Sequence, residues 1–114
     1  MTDGEYHAII SKTFRAIEDG FADVDPDAVE LTSTGDVLTL TFKGGLRAIL
    51  NTQRPVHQLW LAARAEAWHF DWDAGGKRWV DDRGRGLELG AELVRLTKTY
   101  GGVELALSLA GSAG

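Results

Sequence analysis

Apolar residues recur at steps of four and three early in the chain: Ile10, Phe14, Ile17, Phe21 and Val24. That spacing predicts an amphipathic helix over residues 4–23. Thr2 or Asp3 can cap its start. In "DVDPDA" the helix must stop, because Pro26 cannot continue it and drives Asp25 toward extended geometry. The period then drops to two. "AVELTS", "DVLTLTF", "LRAILN", "HQLWLAA", "AWHFDW" and "KRWVD" read as short strands. "DVLTLTF" places Leu38, Leu40 and Phe42 on one face and Thr39 and Thr41 on the other, a half-buried pattern. Gly44-Gly45 turns this strand into the next, "DAGGK" is a turn, and "DRGRG" is a loop. Helical spacing returns from Leu87 to about Tyr100, with Leu89, Leu93 and Leu96 facing one way beside Val94, and Gly101-Gly102 ends it. The order helix, five or six antiparallel strands, helix predicts an α+β fold: an α-β sandwich with both helices on one face of a single sheet and the other face toward solvent.

Composition narrows the chemistry. The chain has 114 residues, enough for one small domain. That domain is expected over residues 1–109, with an apolar tail covering the groove between the helices and residues 110–114 frayed. There is no cysteine, which excludes disulfides, thiolate nucleophiles, zinc fingers and clusters held by thiolates. No apolar run reaches the roughly 18 residues of a membrane span. The N-terminus lacks the basic-then-apolar pattern of a signal peptide, so a cytoplasmic protein is expected. The net charge of −5 is unevenly spread. Residues 1–30 hold eight acids and two bases, 2 − 8 = −6, and residues 31–114 hold nine acids and ten bases, 10 − 9 = +1. Such a segment repels nucleic acid and attracts cations or a basic partner, or else is a solvated helix face.

Carboxylates are the best lead to a metal. Asp19 and Asp23 are four residues apart on the first helix, as are Asp3 and His7, and Asp25, Asp27 and Glu30 continue the acidic line. Oxygen ligands suit Fe²⁺, Fe³⁺, Mn²⁺ or Ca²⁺. An exposed line of this kind, with no cage, binds weakly. The Ca²⁺ loop pattern is missing, since Pro26 interrupts "DVDPDA" and no glycine follows. No G-x-S-x-G or phosphate loop is present, and Arg83 and Arg85 read as solvated loop cations. In "NTQRPVHQLWLA" the alternation sends Leu59 and Leu61 to the core and Gln58 and Trp60 outward, near Asn51 and Gln53. A tryptophan among amides there reads as a protein-binding patch. A one-residue shift of register buries it instead.

Together these residues resemble the frataxin family, and its bacterial branch most closely. The central pattern stands here as Asn51, Gln53, Pro55, Gln58, Leu59, Trp60, Leu61 and Ala62, and "DGEYH", "IED", "VLTLTF", "HFDW" and "DRG" match in order over about residues 3–100. The resemblance implies an α-β sandwich that takes part in iron–sulfur cluster assembly, with cysteine desulfurase and an iron–sulfur scaffold protein as partners. It implies iron held weakly and reversibly along Glu18, Asp19, Asp23, Asp25, Asp27 and Glu30, to which the four-residue spacing adds Asp3 and His7 as further candidates. The sheet patch carries over onto Asn51, Gln53, Gln58 and Trp60. The expected protein is no enzyme, and is a monomer or an oligomer formed with iron. Three departures stand out: Ala22 where the acidic line usually continues, "AEAW" in place of a glycine pair, and Arg54 beside the patch. Two other functions compete. An iron-oxidising enzyme of the ferritin sort needs E-x-x-H pairs on facing helices, which the chain lacks. A metal-independent acidic interaction module needs only the charge.

Overall fold

Thr2 opens the first helix with a reciprocal cap. Its Oγ1 accepts the Glu5 N–H at 3.0 Å, while the Glu5 carboxylate accepts the Thr2 N–H at 3.0 Å. Helix α1 then spans Asp3–Phe21 in the computed structural model, which describes residues 1–107 and 109. Its buried stripe is Tyr6, Ile10, Thr13, Phe14, Ile17 and Phe21. The apolar spacing had marked four of these; Tyr6 and Thr13 join them because each has a bonding partner inside. The helix ends two residues before the expected position, with Ala22 as its C-cap.

Six strands follow: β1 Val29–Ser33, β2 Val37–Phe42, β3 Arg47–Gln53, β4 Gln58–Ala63, β5 Glu66–Asp73 and β6 Arg78–Asp81. They lie in chain order in one sheet, each antiparallel to the next. Strict alternation drives one face of every central strand inward. Leu38 and Leu40, Ala48 and Leu50, Leu59 and Leu61, and Trp68 and Phe70 are all buried. The intervening residues face away from the helices.

The second helix, α2, covers Leu89–Leu96 and starts later than its apolar spacing suggests. Glu88 is extended, bridges to Val80, and accepts the N–H groups of Gly90 and Ala91 as the N-cap. The chain continues as a π-helical turn, Thr97–Gly101, and stops at left-handed Gly102. Gly101 has no room for a side chain: a Cβ there would lie 2.8 Å from Val29 Cγ2 and 3.3 Å from Phe42 Cδ1. Beyond it Leu105 and Leu109 are buried and Leu107 half-buried. Leu107 packs onto Gly20 of α1, and Leu109 packs onto Gly90 of α2. The tail thus touches both helices, as a cover over their groove requires. Residues 110–114, expected to fray, lie outside the described residues.

Both buried indoles are paired inside this core, whereas the buried Thr97 hydroxyl has no hydrogen-bond partner among the described residues. Trp79 Nε1–H donates to Thr13 Oγ1 at 3.0 Å, which itself donates to the Ile9 carbonyl. Trp68 Nε1–H donates to Glu92 of α2 at 3.2 Å. Each helix is thereby tied to the sheet by one indole. Among the described residues no helix is long and apolar enough to cross a membrane.

Candidate metal and partner surfaces

The acidic residues collect at the end of α1, in the loop after it and on β1. Glu18 accepts the Ser33 hydroxyl at 2.8 Å, which joins helix and edge strand. Asp19 lies in the last helical turn, which contains no basic residue. Asp23 sits beyond the C-cap rather than on the helix face shared with Asp19. Asp25 Oδ1 accepts the Asp27 N–H at 2.9 Å across Pro26, a local turn that Pro26 favours. Glu30 points outward from β1. All six are exposed, and none is ion-paired among the described residues. Asp19 and its neighbours also crowd the negative end of the helix dipole, so their charge opposes the fold. No three His, Asp or Glu side chains converge into a metal cage among the described residues.

Asp3 and His7 do not form the pair that their spacing suggests. Asp3 Oδ1 lies 2.8 Å from His57 Nε2, and that hydrogen bond holds the Asp3 carboxyl below its usual range. His57 is left-handed at φ 51° after the 3-10 turn Arg54–Val56, and stacks on Tyr6 with centroids 5.0 Å apart. Tyr6 donates to the Gln58 carbonyl at 2.6 Å and accepts the Gln53 N–H at 3.0 Å. Burial pushes its phenol up from the ordinary value. The start of α1 is therefore pinned to the β3–β4 turn. His7 remains exposed.

The outward sheet face carries the second group. Leu59 and Leu61 are buried and Trp60 points the other way, half-buried, so the register is the unshifted one. Asn51 lies opposite Trp60 and Gln53 opposite Gln58 across the β3–β4 pair. Asn51 is exposed and Gln53 half-buried. Trp60 stacks on His69 of β5, with centroids 4.2 Å apart and planes 16° off parallel. Its Nε1–H donates to Gln58 Oε1 at 2.9 Å. Gln58 Nε2 in turn donates to Asp71 Oδ1 at 3.0 Å and Asp82 Oδ2 at 3.1 Å. Sequence reasoning left out His69, Asp71 and Asp82. The alternation in "AWHFDW" gives His69 and Asp71 the outward side, but only strand register shows which residues of β4 they meet.

A third carboxylate, Asp81, was also hidden in the sequence. Asp81, fully buried at its side chain, takes Arg85 Nη2 at 2.6 Å and the N–H groups of Arg83 and Arg85 at 3.2 and 3.1 Å. The Arg85 hydrogen bonds lead in holding its carboxyl down to about 2. Arg85 is thus a structural clamp of the loop before α2 and not a solvated cation.

These features define the class: an α-β sandwich with an open carboxylate edge on its first helix and an aromatic, amide-rich outer sheet face. Residues 1–102 match the family model described as a frataxin-like domain, and the chain belongs to the frataxin family. An iron-sulfur cluster assembly protein CyaY from Azotobacter vinelandii is 41% identical over 105 residues, covering 92% of this chain and 94% of the relative. One of the same name from Tolumonas auensis is 38% identical over 96 residues, covering 84% and 85%. In structure, the chain is similar to a frataxin from Psychromonas ingrahamii, with a TM-score of 0.80 and 28% identity over 96% of this chain and 98% of that one.

Proposed function

We propose that the protein binds iron weakly along its acidic edge and regulates iron–sulfur cluster assembly, docking on cysteine desulfurase and on the scaffold protein. Its relatives are named for cluster assembly. The observation that carries the reading is the line of six exposed carboxylates, Glu18 to Glu30, none ion-paired among the described residues. Unpaired oxygen donors suit a hard cation such as Fe³⁺ or a borderline one such as Fe²⁺. Water and salt screen most of their attraction, so the metal stays exchangeable, as cargo must. The same charge speeds encounter with a basic face of a desulfurase. Without cysteine the chain can neither hold a cluster by thiolates nor carry a persulfide. In this reading it acts on the assembly proteins without catalysing a reaction of its own, so Fe²⁺ added to it should drive no extra oxygen consumption. Trp60 and Asn51 form the scaffold-facing patch, with Gln53 and Gln58 at its margin.

Titration with Fe²⁺ and Fe³⁺ followed by amide NMR tests the metal reading. Paramagnetic broadening is expected first over residues 18–30. Broadening that starts at His57 or His69 and spares that segment would overturn it.

A further inference from the structure

We infer that Asp71 and Asp82 are positioning residues for Trp60, acting through Gln58, so that Gln58 orders the docking surface instead of offering its amide to the partner. This rests on the proposed role of the Trp60 face.

The geometry is a closed set of contacts from three strands. Gln58 and Trp60 stand on β4, Asp71 lies opposite Gln58 on β5, and Asp82 follows β6. The Asp82 N–H donates to the His69 carbonyl at 2.8 Å, which fixes where its carboxylate lies. The Gln58 amide has two N–H donors, and two carboxylates accept from that nitrogen at 3.0 and 3.1 Å. Its oxygen is then turned toward Trp60, whose Nε1–H it accepts at 2.9 Å. The opposite amide orientation would set oxygen against two carboxylates and nitrogen against an indole N–H, three repulsive contacts. The carboxylate pair therefore selects one orientation of Gln58, and that orientation selects one position of the indole. His69 closes the other side by stacking on the ring, with Nδ1 3.8 Å from Asp82 Oδ2.

Neither Asp71 nor Asp82 pairs with a lysine or arginine among the described residues. They act instead on a neutral amide through charge-assisted hydrogen bonds, which hold it in one orientation. An indole already held in its docking position loses no rotamer freedom on binding. That ordering is equivalent to about a tenfold change in affinity.

The test uses the full chain and a purified iron–sulfur scaffold protein. In Asp71→Ala/Asp82→Ala the Trp60 Nε1–H resonance should move toward that of a solvent-exposed indole and exchange faster with water. Scaffold affinity should fall about tenfold, while the urea midpoint stays near wild type. Asp71→Asn/Asp82→Asn keeps an acceptor at both positions and should restore both the resonance and the affinity. If the alanine and asparagine variants lose affinity equally while the indole resonance stays in place, the carboxylates meet the partner directly and the inference is overturned. An unmoved resonance with unchanged affinity overturns it as well. Trp60→Ala separates the two levels. If it binds scaffold like wild type, the docking role of the face fails, and the indole resonance of the free protein still decides the positioning claim.

Discussion

The acidic edge and the outer sheet face are built on opposite plans. On the edge, six exposed carboxylates run from the end of α1 through the following loop to β1, none of them ion-paired among the described residues, and those at the helix end are disfavoured by its dipole. On the sheet, Trp60, Gln58, His69, Asp71 and Asp82 are locked together by bonds of 2.9–3.1 Å and a ring stack. A surface made of charge tolerates rearrangement, because long-range attraction needs sign more than position. A surface made of an oriented indole does not, because its contribution depends on where the ring lies. The edge suits an exchangeable ion and fast encounter, and the sheet suits a specific, slower-dissociating contact.

The largest expected effect is at the rigid surface. Trp60→Ala should weaken scaffold binding by roughly 2 kcal/mol or more, yet cost only about 1 kcal/mol of stability, since the ring is half-buried and outward. Urea unfolding run beside a binding titration checks both. A loss of roughly 3–5 kcal/mol in folding, as for a core aromatic, would mean that the ring belongs to the fold.

Asp81 sharpens the contrast between carboxylates. Asp81→Ala should lower stability by roughly 2 kcal/mol, because it strips charge-assisted hydrogen bonds from the loop before α2. Its folded pKa of about 2 lies below the ordinary 3.8, so its stabilising contribution is complete above about pH 4 and is lost as pH falls through about 2. Unfolding midpoints of wild type and Asp81→Asn should therefore differ at neutral pH and converge toward pH 2. A constant gap across that range would contradict the assignment.

On the acidic edge the effect is kinetic. Reversing Glu18, Asp19 and Asp23 to Lys should slow association with a desulfurase by about tenfold at low salt and flatten its salt dependence. Stopped-flow association at two ionic strengths would reveal it. The smallest effect is on stability there: Asp19→Asn with Asp23→Asn should change it by a few tenths of a kcal/mol at most, upward, by relieving repulsion at the helix end. A drop in the thermal midpoint would show that these acids support the fold. Iron binding, read by the same NMR titration, should weaken.

Periodicity was a sound guide to the elements, because the apolar stripes of α1 and of the strands are what packing against a single core demands. It misplaced the start of α2, where Leu87 continues the apolar spacing but Glu88 is held extended by its bridge to Val80 and caps the helix. Four-residue spacing suggested pairing Asp3 with His7, whereas Asp3 meets His57, fifty-four residues away. Such a partner depends on the β3–β4 turn reaching the start of α1, which no local pattern encodes. Asp71 and Asp82 escaped for the same reason. The exposed acidic line was legible in the charge distribution and spacing of the first thirty residues together with the family resemblance, since exposed carboxylates without an ion-pair partner among the described residues need no distant neighbour to identify them.

The rate of cluster formation in a mixture of purified cysteine desulfurase, scaffold protein, iron and sulfur source tests the joint action of the two surfaces most directly. Wild type should change the rate. The Glu18, Asp19 and Asp23 charge reversal should lose that effect at low salt, and Trp60→Ala should lose it at every ionic strength. Either variant shifting the rate as fully as wild type would contradict the claim that the two surfaces act together on the assembly proteins.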